Sequence, residues 1–199
     1  MPRIYCVIGK SGTGKDTLME YLLNNESHDL KKIIPYTTRP MRENEINGVN
    51  YYYVSESEMN KMDTEGRIIE KRCYHTVHGD WYYFTSSDNI SEDKKNIIIT
   101  TQEALKYFFE KYGMENIYVI YLKLDDKIRL ERCINRESQQ TEPNYKEVCR
   151  RFLADENDFD EEEINNYKNV KILDTSSDVD TYITELKNFI IWNKLIHFT

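Results

Sequence analysis

The stretch GKSGTGKDT, residues 9–17, sets three glycines, a lysine and a hydroxyl where a phosphate could be held. Gly9, Gly12 and Gly14 let the backbone wrap an anion closely. The amides through Ser11 and Thr13 then point inward, and a helix starting near Lys15 adds its positive end. Lys15 supplies a point charge to the outer phosphates. The pattern G-x-x-x-x-G-K-[ST] fails only at its last position, where Asp16 replaces the hydroxyl that would hold magnesium. Two readings of Asp16 stand. Its carboxylate ligates the metal, directly or through water, with the Thr17 hydroxyl beside it, or it is a first-turn aspartate that favours a helix N-terminus. A second constellation is TTRPMRENEINGVNYYYV, residues 37–54. Two guanidinium forks, Arg39 and Arg42, with the Tyr51 phenol, can clamp a phosphate dianion opposite the loop.

These groups need a scaffold. The apolar run RIYCVI before Gly9, and Leu18, Met19, Leu22 and Leu23 at helical spacing after it, read as strand, loop and helix. NIIITT (96–101) and NIYVIYLKL (116–124) are further buried strands around TQEALKYFFEKYG, a helix expected to end at Gly113. VKILDTS (170–176) precedes a closing helix over 178–193. Continuous apolar strands alternating with amphipathic helices predict a parallel sheet covered on both faces. Between 35 and 85 the pattern changes to alternation in YYYV, RIIEKRCYH and WYYF, with a turn at Asn47-Gly48, which predicts a small antiparallel insert. Residues 126–163 read as charged helices broken at ESQQTEPN, a mobile arm carrying Arg129, Arg132 and Arg136.

With 199 residues, 39% of them hydrophobic, the chain can build one good core and not two. A net charge of −8 argues against a non-specific hold on nucleic acid or anionic membrane, while leaving room for a small anionic substrate in a locally basic site. The four cysteines show no paired spacing, no segment approaches a membrane span, and the apolar run in MPRIYCVIG is too short for the core of a signal sequence. A cytoplasmic protein, monomer or homodimer, is expected. Cys73, His75 and His78 could suggest a metal site, but no further ligand has convincing spacing, so a plain hairpin is the preferred reading. The acidic run DENDFDEEE (155–163) is read as a solvated helix end rather than a docking site for a basic partner.

From Thr37 to Tyr51 the pattern T-T-R-x-x-R-x-x-E-x-x-G-x-x-Y is intact, and here the chain resembles guanylate kinase, the family that transfers the γ-phosphoryl of ATP to GMP. The likeness continues through RIIEKRCYHTVHGDWYYFTSS and the lid-like RLERCINRE and CRRFLADENDF, covering essentially the whole chain. The resemblance implies an α/β, three-layer P-loop kinase fold with a parallel core sheet, a small mixed α/β acceptor-binding insert and a helical lid. As one domain over 1–199, its core would be about 1–34, 86–125 and 153–199, its insert about 35–85 and its lid about 126–152. It implies ATP and Mg2+ as donor and cofactor, GMP as acceptor, and a place in purine nucleotide metabolism. Catalysis would fall to Lys15, Arg39, Arg136 and Arg151. ATP phosphates would be held by Gly9, Ser11, Gly12, Thr13, Gly14, Lys15, Asp16, Thr17 and Arg132, with Asp16 and Thr17 on the metal. GMP would be held by Arg39, Arg42, Tyr51, Glu70, Tyr83 and Thr85, with Glu70 accepting from the guanine Watson-Crick edge. Phosphoryl transfer asks mainly for positioning and charge neutralisation, where one arginine can be worth roughly 10³ to 10⁵ in rate.

The chain departs from the family's pattern in several places. Pro35 stands where a serine helps hold the base, and aligning Gln102 puts Ile98 and Thr100 at the two carboxylates of D-x-D. Phe84 replaces a glycine, and the lid is longer between Arg136 and Arg151. Two readings follow: the acidic metal ligand has moved from the strand to Asp16, or the active site is degraded. Two other functions stay open: the same chemistry on another (deoxy)nucleoside monophosphate, and a binding module that has lost catalysis.

Overall fold

Every side chain of β1 (Ile4–Ile8) is excluded from water, which makes this strand the axis of the computed structural model. Residues 1–25, 29–43, 45–76 and 79–192 are described. After β1 come α1 (Lys15–Asn25), β2 (Leu30–Lys32), β3 (Tyr36–Thr37), β4 (Tyr52–Tyr53), α2 (Glu56–Thr64), β5 (Ile68–Thr76) and β6 (Gly79–Ser86). The second half contributes β7 (Lys95–Ile99), α3 (Gln102–Tyr112), β8 (Ile117–Lys123), α4 (Asp126–Ser138), α5 (Tyr145–Asp158), α6 (Glu161–Asn165), β9 (Val170–Asp174) and α7 (Val179–Trp192).

Five parallel strands form the core sheet in the order β2-β7-β1-β8-β9. The two-residue period of β1 divides its side chains between two apolar layers. Tyr5 and Val7 pack with Leu18 and Leu22 of α1 and with Ile183 and Leu186 of α7. Ile4, Cys6 and Ile8 pack with Leu105 and Phe108 of α3 and with Ile164 of α6. Helices therefore cover both faces, giving the expected three-layer α/β architecture. Each fully buried leucine or isoleucine in these layers contributes about 1.5–3 kcal/mol relative to exposure. The helix α3 is capped as its sequence requires, by the Thr101 hydroxyl at one end and by Gly113 at φ +78° at the other.

The insert is a second, four-stranded sheet in the order β4-β3-β6-β5. It is mixed, because β3 and β4 run parallel while β3–β6 and β5–β6 are antiparallel. Alternation alone predicts the long hairpin but not the parallel pair, since β3 and β4 have two residues each and are fixed by tertiary pairing. Helix α2 was equally hidden, with a capping box between Ser55 and Glu58 as its local signal. Its Met59 and Met62 pack on Phe84, so the phenylalanine at the family's glycine position is a core residue of the insert.

In the expected lid, α4 and α5 are separated by a break that includes residues 139–144. The boundary drawn at 152 falls inside α5, which continues to Asp158. Among the described residues all four cysteines are free, and no helix is long and apolar enough to cross a membrane.

Candidate active site

The phosphate loop joins the carboxyl end of β1 to α1, the edge of a parallel sheet where the fold opens a crevice. Gly12 has φ +86°, and a Cβ there would lie 2.5 Å from the Arg129 carbonyl oxygen of α4. Only glycine lets α4 approach so closely. Beneath the loop, Thr13 is buried and its hydroxyl donates to the Lys10 carbonyl at 2.8 Å. The Thr13 carbonyl in turn accepts from Thr175 Oγ1 at 3.0 Å. Thr175, just after β9, was not singled out from the sequence, and its place at a strand's carboxyl end was the available signal.

Lys15 opens α1, and its Nζ donates to the Gly9 and Lys10 carbonyls at 2.6 and 3.0 Å. Burial pushes its ammonium below the ordinary lysine range, with Asp155 and Asp16 opposing that shift. A cavity of about 970 Å³ opens over this loop, walled by Lys15, Asp16, Thr17, Arg132, Arg136 and Arg151. Ser11, Gly12 and Gly14 complete its floor. Arg132 also donates to the Thr175 carbonyl at 3.3 Å. Arg151 borders the cavity, and its buried Nε pairs with Glu147 at 3.4 Å without a hydrogen bond. Four cations at one end of an acidic chain form a locally basic site.

A second cavity, of about 530 Å³, lies toward the insert and is walled by Tyr51, Tyr83, Thr85, Pro35 and Thr100. Gly9, Ser11 and Lys15 belong to it as well, and Ser11 and Lys15 also border the first cavity. The two spaces therefore meet at the phosphate loop's serine and lysine. Tyr51 and Tyr83 stack edge to face at 5.6 Å, and burial followed by the neighbouring Tyr83 raises the Tyr51 phenol above its usual range. Glu70 is buried behind this wall, with Thr85 Oγ1 donating to Oε1 at 2.7 Å and Arg72 Nε to Oε2 at 3.1 Å. Arg72 was not anticipated as a partner of Glu70.

Three expected residues sit differently from a simple clamp. Arg39 is buried, and its fork is closed by Glu45 at 2.7 and 2.9 Å while its Nε donates to the Tyr83 hydroxyl at 3.0 Å. It thus orients Tyr83 rather than presenting an open fork. Arg42 is exposed and stands outside the walls of both cavities. Arg129, grouped with the lid arginines by sequence, is fully buried among Asp126, Asp155 and Glu156. Thr100 carries a further signal, since its buried Oγ1 has no hydrogen-bond partner although the residue borders the second cavity. An unpaired buried hydroxyl is costly unless something fills the space beside it.

Comparisons agree with this layout. The family model described as guanylate kinase matches residues 1–193. The guanylate kinase of Caldanaerobacter subterraneus subsp. tengcongensis is 30% identical over 194 residues, covering 94% of this chain and 86% of that protein. The guanylate kinase of Neisseria gonorrhoeae is 39% identical over 88 residues, so that match takes in 44% of this chain and only 40% of its relative's length. Among solved structures, guanylate kinase from Anaplasma phagocytophilum superposes with a TM-score of 0.60 at 19% identity, over 98% of this chain and 88% of that one. At that identity the structural likeness speaks for the fold.

Proposed function

The chain belongs to the guanylate kinase family, and we propose that it transfers the γ-phosphoryl of ATP to GMP, giving ADP and GDP. The observation that carries this reading is the meeting of the two cavities at Ser11 and Lys15, with arginines on one side and the Tyr51, Tyr83 and Thr85 wall on the other. A donor in the first cavity would direct its terminal phosphorus toward an acceptor phosphate in the second. The acceptor oxygen forms the new P–O bond as the bond to ADP breaks, and ADP leaves with the electron pair. Lys15, Arg136 and Arg151 are suited to neutralise the charge spread over the transferring group. Tyr51 and Tyr83 are suited to the acceptor phosphate, with Arg39 accepted as a positioning group through its bond to the Tyr83 hydroxyl.

The Asp16 carboxylate and Thr17 hydroxyl share the wall of the donor cavity, and two hard oxygens fit Mg2+. The ion would supply charge neutralisation between the outer phosphates of ATP. Glu70 lies behind the cavity wall with Thr85 on Oε1 and Arg72 on Oε2, so a base would reach it only as one of those side chains turns aside. Its carboxylate would then match guanine's N1–H and amino group and leave an acceptor of adenine unpaired. Such a mismatch costs about 1–3 kcal/mol.

One observation favours a second reading, the same chemistry on another (deoxy)nucleoside monophosphate. Pro35 offers no donor at the base wall, and Thr100 brings a neutral, unpartnered hydroxyl there. A coupled ADP-release assay with ATP, Mg2+ and GMP, dGMP, AMP, CMP, UMP or dTMP separates the two, with Lys15→Ala as the blank. The proposal expects GMP to exceed the other bases at least tenfold in kcat/KM. Preference for a pyrimidine or adenine nucleotide would overturn the assignment of the base.

A further inference from the structure

The hairpin β5–β6 has two faces. Arg72, Tyr74, Trp81 and Tyr83 border the acceptor cavity, so the two-residue period sends Cys73, His75, Asp80 and Tyr82 to the opposite side. The register pairs His75 with Asp80 and Cys73 with Tyr82. Sequence spacing offered Cys73, His75 and His78 with no fourth ligand. Pairing across the hairpin supplies Asp80, whereas His78 lies outside the described residues. One ligand atom from each of Cys73, His75 and Asp80 lies within 4.8 Å of the other two.

We propose that Cys73, His75 and Asp80 form a site for a divalent transition metal of the zinc class, stapling β5 to β6 on the face away from the nucleotide. The donor set is a thiolate sulfur, an imidazole nitrogen and a carboxylate oxygen. That mixture selects zinc-like ions and rejects Mg2+, which takes oxygen alone, so the site is chemically separate from the donor cavity. Tetrahedral bonds of about 2.0 Å to nitrogen and oxygen and about 2.3 Å to sulfur put ligand atoms roughly 3.3–3.6 Å apart. His75 Nδ1 and Asp80 Oδ1, now hydrogen-bonded at 2.7 Å, would part by about half an ångström, and Cys73, within 4.8 Å of both, would have at most about an ångström to close. Side chains this exposed can make both moves by rotamer adjustment, since 84% of the His75 side chain and 46% of that of Asp80 face solvent. On binding, the Cys73 thiol gives its proton to solvent, and water completes the fourth position.

The test is a Co2+ titration of the full chain, followed by Zn2+ displacement. One equivalent of cobalt should produce a thiolate-to-metal charge-transfer band in the near ultraviolet, bleached by zinc. Cys73→Ser should abolish the band, and His75→Ala and Asp80→Asn should each weaken cobalt binding at least tenfold. Cys149→Ser, which changes the other exposed cysteine, should leave the band intact. Unchanged thermal melts of the metal-free variants would show that they are folded. No charge-transfer band in the parent chain, a band surviving Cys73→Ser, or undiminished affinity in both His75→Ala and Asp80→Asn would overturn the site.

Discussion

The Asp155 carboxylate reaches from α5 to the phosphate loop and accepts the Ser11 backbone N–H at 2.7 Å. Asp155 also receives Arg129 at 3.2 Å, and that buried guanidinium is shared with Asp126 and Glu156. Lys10 closes the same network on Glu156 at 2.8 Å. The phosphate loop is therefore tied to both α4 and α5 through charge as well as through the close approach at Gly12. A carboxylate on a loop amide holds the kind of position that a phosphate oxygen would claim.

Asp155→Ala should release the Ser11 N–H and strengthen ATP binding about tenfold, the scale of one charge-assisted hydrogen bond. It should also lower folding stability by roughly 1–3 kcal/mol, because buried Arg129 keeps two of its three acidic partners. Calorimetric ATP titration and a thermal melt read the two effects separately. Unchanged or weaker ATP binding would remove the competition argument.

Lys15→Ala should cut kcat by at least about a hundredfold, as loss of a charge aimed at a transition state does. Burial lowers the Lys15 pKa, so the free enzyme loses the useful ammonium as pH rises through that lowered value. The alkaline fall of kcat/KM for ATP should accordingly begin below the 10.5 of an ordinary lysine. A pH–rate profile checks this, and a plateau extending to pH 10.5 would contradict it.

The Arg39 fork holds the Glu45 carboxyl at about 2, against 4.5 for an ordinary glutamate. A depressed carboxylate stabilises fully above its unfolded value, and the contribution disappears as pH falls through the folded one. The gap in melting temperature between the parent chain and Glu45→Gln should be largest at neutral pH and shrink between 4.5 and 2. Melting temperatures across that window settle the matter, and a constant gap would show that the ion pair is not its source.

Asp16→Ser restores the hydroxyl of the usual loop pattern and removes a carboxylate from the donor cavity. If Asp16 serves the metal, half-maximal activity should need several-fold more Mg2+ in the variant. Superimposable magnesium titrations would assign Asp16 to the helix N-terminus alone.

The core was legible because its signals are local. RIYCVI, the glycine loop and the spacing of Leu18 and Leu22 each point to the same strand-loop-helix unit, and the apolar strands announce a sheet buried on both sides. Lys15, Asp16 and Thr17 share one cavity wall for the same reason, since they follow one another at the start of α1. Tyr51 and Tyr83, by contrast, are brought to one wall by the insert's pairing, and only a motif resemblance could relate residues so far apart. What stayed hidden depends on partners distant in the chain. Asp155 under Ser11 and the unpartnered Thr100 hydroxyl follow from packing between elements, which residue spacing does not encode.

The central claim is tested most directly by following the label from γ-labelled ATP in the presence of GMP and Mg2+ and separating the nucleotides by ion exchange. The account predicts label in GDP, formed in step with ADP and lost with Lys15→Ala. ATP that binds while label passes to no nucleoside monophosphate would contradict it and favour a binding role for this fold.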